Sequence, residues 1–378
     1  VKTEIPSFDS WNKAFSRPFI IAGPCSAESP EQMLLTAKAV AAHRVNMLRA
    51  GIWKPRTRPD SFEGMGEPAL SWLKDAGREV NLPVSVEVAS TRHVEQALKA
   101  GIDVLWIGAR TTVSPFMVQE IADALSGVDI PVMIKNPVNP DLELWVGAIE
   151  RMAKAGINKL VAIHRGFSSY ENSTYRNKPN WEIPIELRRR IPGLPLICDP
   201  SHISGKTVLI PYLSQMAMDL NYEGLMIETH INPSEALSDA RQQLSPDELG
   251  RLISALVIRN SSVEDVFELS KLEDLRDQID EVDQTILDRM SERMAIARLI
   301  GQYKLRNHMT IYQPERWNDI IRTRTRTGME KKLTKEFILR LISIIHEESI
   351  YQQTQQMNPG SQRTEIAGTD QNTALPGK

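Results

Sequence analysis

Short apolar runs alternate with amphipathic stretches through the first 260 residues, regularly enough to predict a fold. Residues 19–26 (FIIAGPCS) form an apolar strand that breaks at Gly23-Pro24, and Ser29-Pro30-Glu31 then starts a helix running to about His43. Strand-like runs recur at 45–53, 84–89, 104–108, 131–136, 160–164, 194–198 and 225–229. Amphipathic segments such as 90–100, 115–125 and 141–155 lie between them. Strand alternating with helix predicts a parallel sheet, and roughly eight such units in about 250 residues is what a closed (β/α)8 TIM barrel of α/β class needs.

The pattern changes after residue 260. A polar stretch, Ser261 to Asp265, marks a boundary, and from 271 to 306 there is no proline and a single glycine, Gly301. Leu272, Leu275, Ile279, Val282, Ile286, Met290, Ala297 and Ile300 keep a helical spacing. Such a helix is a rod of roughly 54 Å, too long for a small domain to cover alone. It implies a partner helix, most simply from a second copy of the chain. Shorter helices follow at about 314–324 and 334–356, then a polar tail that reads as disordered. The expected organisation is a barrel over 1–260, a linker over 261–270, an all-α domain over 271–357 and a tail over 358–378.

Composition narrows the function. Among 378 residues, 45 Lys and Arg face 48 Asp and Glu, a net charge of -3, so no global basic field argues for nucleic acid. No apolar run is long enough to span a bilayer and no secretory leader opens the sequence, so a cytoplasmic location is expected. Cys25 and Cys198 are too few for a disulfide framework and are expected as buried thiols or metal ligands.

In a barrel of this kind the C-terminal strand ends converge on one mouth, where chemistry sits. Here those ends carry Cys25, then Arg49 with Lys54, Arg56 and Thr57, then Glu87, Arg110, Lys135, His164 with Arg165, His202 and Glu228. Six cations in one mouth repel one another unless anions sit between them, and Arg suits phosphate and carboxylate. Two phosphorylated substrates would explain so many. Cys25, His202, Glu228 and Asp239 offer S, N and O donors, a mixed set suited to a divalent transition metal. The stretch LICDPSHISG (196–205) runs from an apolar strand into a polar turn; alone it reads equally as turn chemistry.

GPCS (23–26), RAGIWKPRT (49–57), GART (108–111), IKNP (134–137), HRG (164–166), CDPSHISG and ALSDARQQL (236–244) resemble the motifs of the 3-deoxy-D-arabino-heptulosonate 7-phosphate (DAHP) synthases, in order and over nearly the whole barrel. The nearest resemblance is to the compact subfamily related to the 3-deoxy-D-manno-octulosonate 8-phosphate synthases. The resemblance implies condensation of phosphoenolpyruvate with erythrose 4-phosphate. It implies a divalent metal (Mn2+, Fe2+, Co2+ or Zn2+) on Cys25, His202, Glu228 and Asp239. Lys54, Arg110, Lys135 and Arg165 would hold phosphoenolpyruvate, with Arg49 nearby, and Arg56 and Thr57 would take erythrose 4-phosphate. KPRT differs from the Asn-containing motif of the octulosonate relatives. No additional N-terminal regulatory domain is expected.

On the long helix, Arg276 and Arg293 are seventeen residues apart, about 25 Å along the axis and about 100° around it, so one small ligand cannot touch both from one helix. Arg293 and Lys304 lie about 16 Å apart and only some 20° around, close enough for long side chains to converge. On spacing alone the simpler account is a solvated charged face. However, residues 275–304 with IIHEESIYQQ (344–353) resemble the all-helical chorismate mutases, intertwined dimers of three-helix chains. That resemblance implies a site of Arg293, Lys304, Arg316, Ser349 and Gln353 from one protomer with Arg276 from the other, Lys304 and Gln353 serving the ether oxygen of chorismate. Gln313 and Trp317 depart from the family, which commonly has Asp and Glu there to contact the substrate hydroxyl.

The expectation is therefore a bifunctional, homodimeric enzyme. Its helical domain rearranges chorismate to prephenate and mediates feedback by prephenate or chorismate. Two alternatives stand beside it: a helical domain that only senses ligand and dimerises, and a barrel that is an octulosonate synthase or another aldolase.

Overall fold

The computed structural model describes residues 17–54, 62–170, 173–260 and 266–358. The chain divides into two compact units, Val1–Ser261 and Ser262–Lys378. In the first, eight strands form a closed parallel barrel in sequence order: β1 (Phe19–Gly23), β2 (Met47–Ala50), β3 (Val84–Val88), β4 (Val104–Ile107), β5 (Val132–Lys135), β6 (Leu160–His164), β7 (Leu196–Cys198) and β8 (Gly224–Glu228). Around it lie α1 (Pro30–Ala41), α2 (Pro68–Glu79), α3 (Thr91–Lys99), α4 (Ala109–Thr112), α5 (Pro115–Ala124), α6 (Leu142–Lys154), α7 (Glu182–Arg190), α8 (Pro200–Ser204), α9 (Ile210–Asp219) and α10 (Pro246–Ala255). Several starts follow from local sequence: Ser29, Ser90, Ser114 and Asp141 each accept a backbone N–H of the first turn, and Ser245 with Glu248 makes a full capping box.

The two-residue period of the strands sorts the barrel into layers. Ile21, Met47, Val104, Met133, Val161, Ile163, Ile197 and Met226 pack inside the barrel, with the Trp106 ring above them. Their odd-even counterparts Ile20, Leu48, Val86, Leu105, Ile134, Ala162, Cys198 and Ile227 pack outward under the helices. Two residues further along, the inward positions turn polar: Arg49, Glu87, Lys135, Arg165, Asp199 and Glu228. The chemistry-bearing residues are thus the next inward rung above an apolar floor. Closure pairs β1 with β8, setting Phe19 beside Gly224 and Gly23 beside Glu228. That approach is tight: a Cβ on Gly224 would sit 2.1 Å from the Phe19 carbonyl oxygen.

The second unit is α11 (Val266–Arg306), α12 (Pro314–Glu330) and α13 (Lys335–Met357). α11 begins inside the stretch read as linker, so residues 266–270 are helical, and α12 runs six residues beyond the expected end. The tail after 358 lies outside the described residues. α13 packs on both α11 and α12. Polar groups share the interior with Met294, Ala297 and Ile338. Lys304, Ser349 and Gln353 are buried, whereas Leu275, Ile279, Val282 and Ile286 are 53–60% exposed. Those four repeat at the spacing of a coiled-coil seam.

Replacing Gly224 with Ala forces backbone against backbone where β1 meets β8. The expected outcome is a barrel destabilised by about 1–3 kcal/mol, read as a lowered denaturation midpoint, while the same change at Gly147 on α6, where an added Cβ meets nothing, costs no packing.

Candidate active site of the barrel

At the mouth, the Cys25 thiol and the Glu228 and Asp239 carboxylates bring one donor atom each within 4.8 Å of one another. Cys25 Sγ lies 3.4 Å from Asp239 Oδ2. His202 lies beside this set rather than within it: its Nδ1 is 2.8 Å from Asp199 and its Nε2 is 3.7 Å from Glu228. An imidazole oriented by a carboxylate on one nitrogen, with the other turned towards a cluster of anionic donors, is a common arrangement for a metal ligand. Burial and the neighbouring Glu228 push the Cys25 thiol up to about 12, with Lys54 opposing. A thiol and two carboxylates crowded away from water are a poor fit to one another and a good fit to a divalent ion, and S, N and O donors together favour a transition metal.

The donors are held by neighbours. Arg49, 1% exposed, places Nη1 2.8 Å from Glu228 Oε1 and donates Nη2 to the Cys25 carbonyl. Its guanidinium lies 5.0 Å over the Trp106 ring, with Lys135 at 5.8 Å. Gln242 donates to Glu228 Oε2, and Gln243 accepts from the Cys25 backbone N–H. Arg176 bonds both Asp239 and Gln242. Lys54 Nζ stands 2.9 Å from Cys25 Sγ and also donates to its carbonyl. This requires Gly51, since a Cβ there would lie 2.6 Å from Lys54 Nζ and from the Cys25 oxygen.

Beside the donor cluster is a cationic half. Lys135 Nζ is 2.8 Å from Asp199 Oδ2, so Asp199 joins Lys135 to His202 through one buried carboxylate. Against its own burial, His202 and Lys135 hold that carboxyl well below the usual carboxylate range. Burial, together with Arg176 and Arg110 and against Asp199, pushes Arg165 down to about 10. Guanidinium groups brought this near one another suit an anion between them. Glu87 accepts from Trp106 Nε1, and Gly108 leaves room for it, a Cβ there falling 1.9 Å from the carboxylate.

Of the residues expected at the mouth, Cys25, Arg49, Lys54, Lys135, His202, Glu228 and Asp239 come together in one contact network. Arg110 and Arg165 are electrostatically linked to it. Arg56 and Thr57 lie outside the described residues. His164 points the other way: it bonds the Pro179 carbonyl through Nε2 and the Tyr222 hydroxyl through Nδ1, packed between Trp181 and Phe167. Cys198 is buried under the helices. Asp199 belongs to the polar turn of LICDPSHISG, and counting in twos along β7 from Ile197 turns it into the mouth. Arg176, Gln242 and Gln243 emerge as site neighbours only from the structure.

In the helical unit, Arg293 donates to the Ser349 hydroxyl, Lys304 Nζ bonds the Ile311 carbonyl at 2.6 Å, and Gln353 lies across from Gly301. Burial and the neighbouring Arg324 lower Arg293, and burial lowers Lys304. Arg316 pairs with Asp319 at the surface, and Arg276 pairs with Glu273 on the exposed stretch of α11. Arg276 therefore stands apart from the group on α11 and α13. Gln313 is the N-cap of α12 but makes no side-chain cap, where Asp would. Trp317 stacks on His346, ring centroids 4.0 Å apart.

Two outcomes follow. Asp199→Asn weakens the ion pair with Lys135 and loosens His202, so affinity for a transition-metal ion, titrated calorimetrically, falls by about 10- to 100-fold. His164 is held neutral, its pKa pushed by burial down to about 3 from 6.5. The unfolded chain binds that proton and the folded chain does not. The stability involved is present above pH 6.5 and is lost as pH falls towards 3. His164→Gln flattens this part of the pH dependence of unfolding, on the order of a few kcal/mol.

Comparison with known proteins agrees with this geometry. The DAHP synthetase I family matches residues 15–263, and the chorismate mutase type II domain matches residues 275–354. The phospho-2-dehydro-3-deoxyheptonate aldolase of Thermotoga maritima is 32% identical over 225 residues, covering 60% of this chain and 64% of that protein's length. The 2-dehydro-3-deoxyphosphooctonate aldolase of Azoarcus sp. (strain BH72) is 27% identical over 263 residues, covering 63% of this chain and 89% of that protein. Among solved structures, the DAHP synthase of Thermotoga maritima superposes with a TM-score of 0.57 at 29% identity, over 62% of this chain and 67% of that one. A truncated form of 3-deoxy-D-arabino-heptulosonate 7-phosphate synthase from the same organism gives 0.55 at 26% identity, over 68% and 87%. A closed eight-stranded barrel with this mouth, followed by a three-helix unit, thus belongs to the DAHP synthetase I family and carries a chorismate mutase type II domain.

Proposed function

We propose that the barrel condenses phosphoenolpyruvate with erythrose 4-phosphate to DAHP and phosphate, and that the helical domain rearranges chorismate to prephenate. The observation that carries the first half is the divided mouth, with metal-type donors on one side and crowded cations on the other, joined by Asp199. Cys25, His202, Glu228 and Asp239 would hold a divalent ion, Mn2+, Fe2+, Co2+ or Zn2+. When bound, the ion supplies Lewis-acid polarisation of a carbonyl.

The chain's own residues do the rest. Lys135, Arg110, Arg165 and Lys54 grip the phosphate and carboxylate of phosphoenolpyruvate, and Arg56 and Thr57 take erythrose 4-phosphate. Arg49 fixes Glu228 from below. Carbon 3 of phosphoenolpyruvate attacks the aldehyde carbon, and Lys54 Nζ supplies a proton to the oxygen that gains charge. Water adds at carbon 2 and phosphate leaves, its charge met by the arginines.

For the helical domain the reading rests on its polar burial. Lys304, Ser349 and Gln353 are buried beside Met294, Ala297 and Ile338, a lining suited to a dicarboxylate, while the apolar seam of α11 lies in water. A second copy covering that seam brings its Arg276 to the site of Arg293, Lys304, Arg316, Ser349 and Gln353. The rearrangement needs no nucleophile, only donors for charge growing on the ether oxygen, which Lys304 and Gln353 supply. Trp317 carries no carboxylate acceptor, which favours a second reading of this domain as a sensing and dimerisation module. In both readings prephenate or chorismate on the helical domain restrains the barrel, and this requires affinity that differs between two arrangements. No described helix is long and apolar enough to cross a membrane; we place the enzyme in the cytoplasm.

The full chain is expected to form DAHP from erythrose 4-phosphate in preference to the eight-carbon product from arabinose 5-phosphate, to stop on chelation, and to restart with a transition metal. The reverse preference would make it an octulosonate synthase. Lys304→Ala and Arg276→Ala each lower chorismate turnover by about 100-fold or more. Mixed and reassembled, the two variants recover about a quarter of parent activity, because half the dimers are hybrid and each hybrid holds one intact site. Absence of recovery would refute the shared site. Prephenate binding without any parent turnover would establish the sensor instead. Saturating prephenate is expected to slow the barrel, and an unchanged rate would end the feedback reading.

A further inference from the structure

Among the described residues of the helical unit, two buried side-chain atoms have no hydrogen-bond partner: Gln353 Oε1 and His346 Nε2. Leaving such an atom unpaired costs its full desolvation, so native structures seldom keep one without a use. The two residues sit on one face of α13. His346, Ser349 and Gln353 are spaced i, i+3, i+7, and Ser349 of that row accepts from Arg293 on α11. His346 is also close enough to Arg293 and Lys304 for both cations to disfavour its protonation, after burial itself. Its ring is fixed rather than free: it stacks on Trp317 at 4.0 Å and 17°, with Tyr312 at 6.4 Å. Trp317 is the position where the resemblance calls for an acidic contact to the substrate. Here that position supports an imidazole instead.

From this we infer that His346 is a substrate-contacting residue of the helical site, its Nε2–H donating to an acceptor oxygen of the bound dicarboxylate while Trp317 holds the ring in place. The inference rests on the chorismate mutase reading above. A neutral donor suits the position. A third full charge beside Arg293 and Lys304 would be repelled, whereas a neutral N–H adds a directed bond to an oxygen those cations have already drawn in. The arrangement also gives the stack a role, since a histidine ring without it has two free torsions to restrain on binding.

Two substitutions in the full-length dimer separate the donor from the stack. His346→Phe keeps an aromatic ring against Trp317 and removes the donor. His346→Gln keeps a donor and removes the stacked ring. Chorismate turnover and calorimetric binding of prephenate are measured for both, with helix content and sedimentation as checks on assembly. The expected result is that Phe lowers kcat/KM and prephenate affinity by about 10- to 100-fold, while Gln, which keeps a donor but loses its aromatic support, is impaired several-fold less than Phe. In ¹⁵N-histidine-labelled parent protein, the His346 Nε2 resonance is expected to shift on adding prephenate. A residue with only a packing role gives the opposite order, Phe active and Gln impaired, and overturns the inference, as does equal loss in both or a resonance that prephenate leaves in place. If the parent neither turns over chorismate nor binds prephenate, the mutase reading itself falls and this inference with it. Parent turnover with an undiminished Phe variant removes this inference alone.

Discussion

The mouth of the barrel depends on the ion pair between Arg49 and Glu228, both sealed from water. Neither charge could be buried alone, since removing one partner of such a pair typically costs several kcal/mol. Once paired, the two organise what surrounds them. Glu228 is left with a second oxygen for Gln242 and an orientation towards Cys25, while Arg49 spans from β8 to the Cys25 carbonyl beyond β1. Trp106 shields the guanidinium from below. The site is thus built on opposed charges stacked directly above an apolar floor, and the low dielectric of that floor strengthens each contact made in the layer above.

Asp199 carries the same logic across the barrel. One carboxylate accepts from the lysine on the anion side and from the His202 backbone N–H on the donor side, with the imidazole 2.8 Å away, so the two halves of the mouth share a single orienting group. Arg176 plays a comparable part at the rim, linking Asp239 to Gln242. The described cations of the mouth are not a loose basic patch. Arg49 is aimed by Glu228 and the Trp106 ring, Lys135 by Asp199 and Lys54 by the Cys25 carbonyl, so little reorganisation remains when charge develops beside them.

The barrel was legible in the sequence because eight apolar runs and their intervening amphipathic helices repeat in one order. Most mouth residues were also legible, because a strand end is visible as the point where an apolar run meets Arg, Lys, His or Glu. What escaped was side-chain direction. Asp199 and His164 both follow apolar runs, yet the two-residue period turns Asp199 into the mouth and His164 under the helices. Arg176, Gln242 and Gln243 escaped for a different reason: they act through loops, whose geometry leaves no periodic trace. In the helical unit the length of α11 and its uncovered seam were readable from hydrophobic spacing. The pairing of Trp317 with His346 was not, since it joins residues from two helices with no signal in either.

The way the barrel closes also sets an order in time. Cys25 follows the first strand, while Glu228 ends the last and Asp239 comes after it, and β1 meets β8 only when the sheet shuts. A chain emerging from the ribosome therefore presents its thiol long before the carboxylates that will face it. The cluster of donors therefore exists only where the first and last strands are paired. A nascent or partly opened barrel holds a lone cysteine in place of a donor cluster, so the assembled cluster doubles as a report that the sheet is complete.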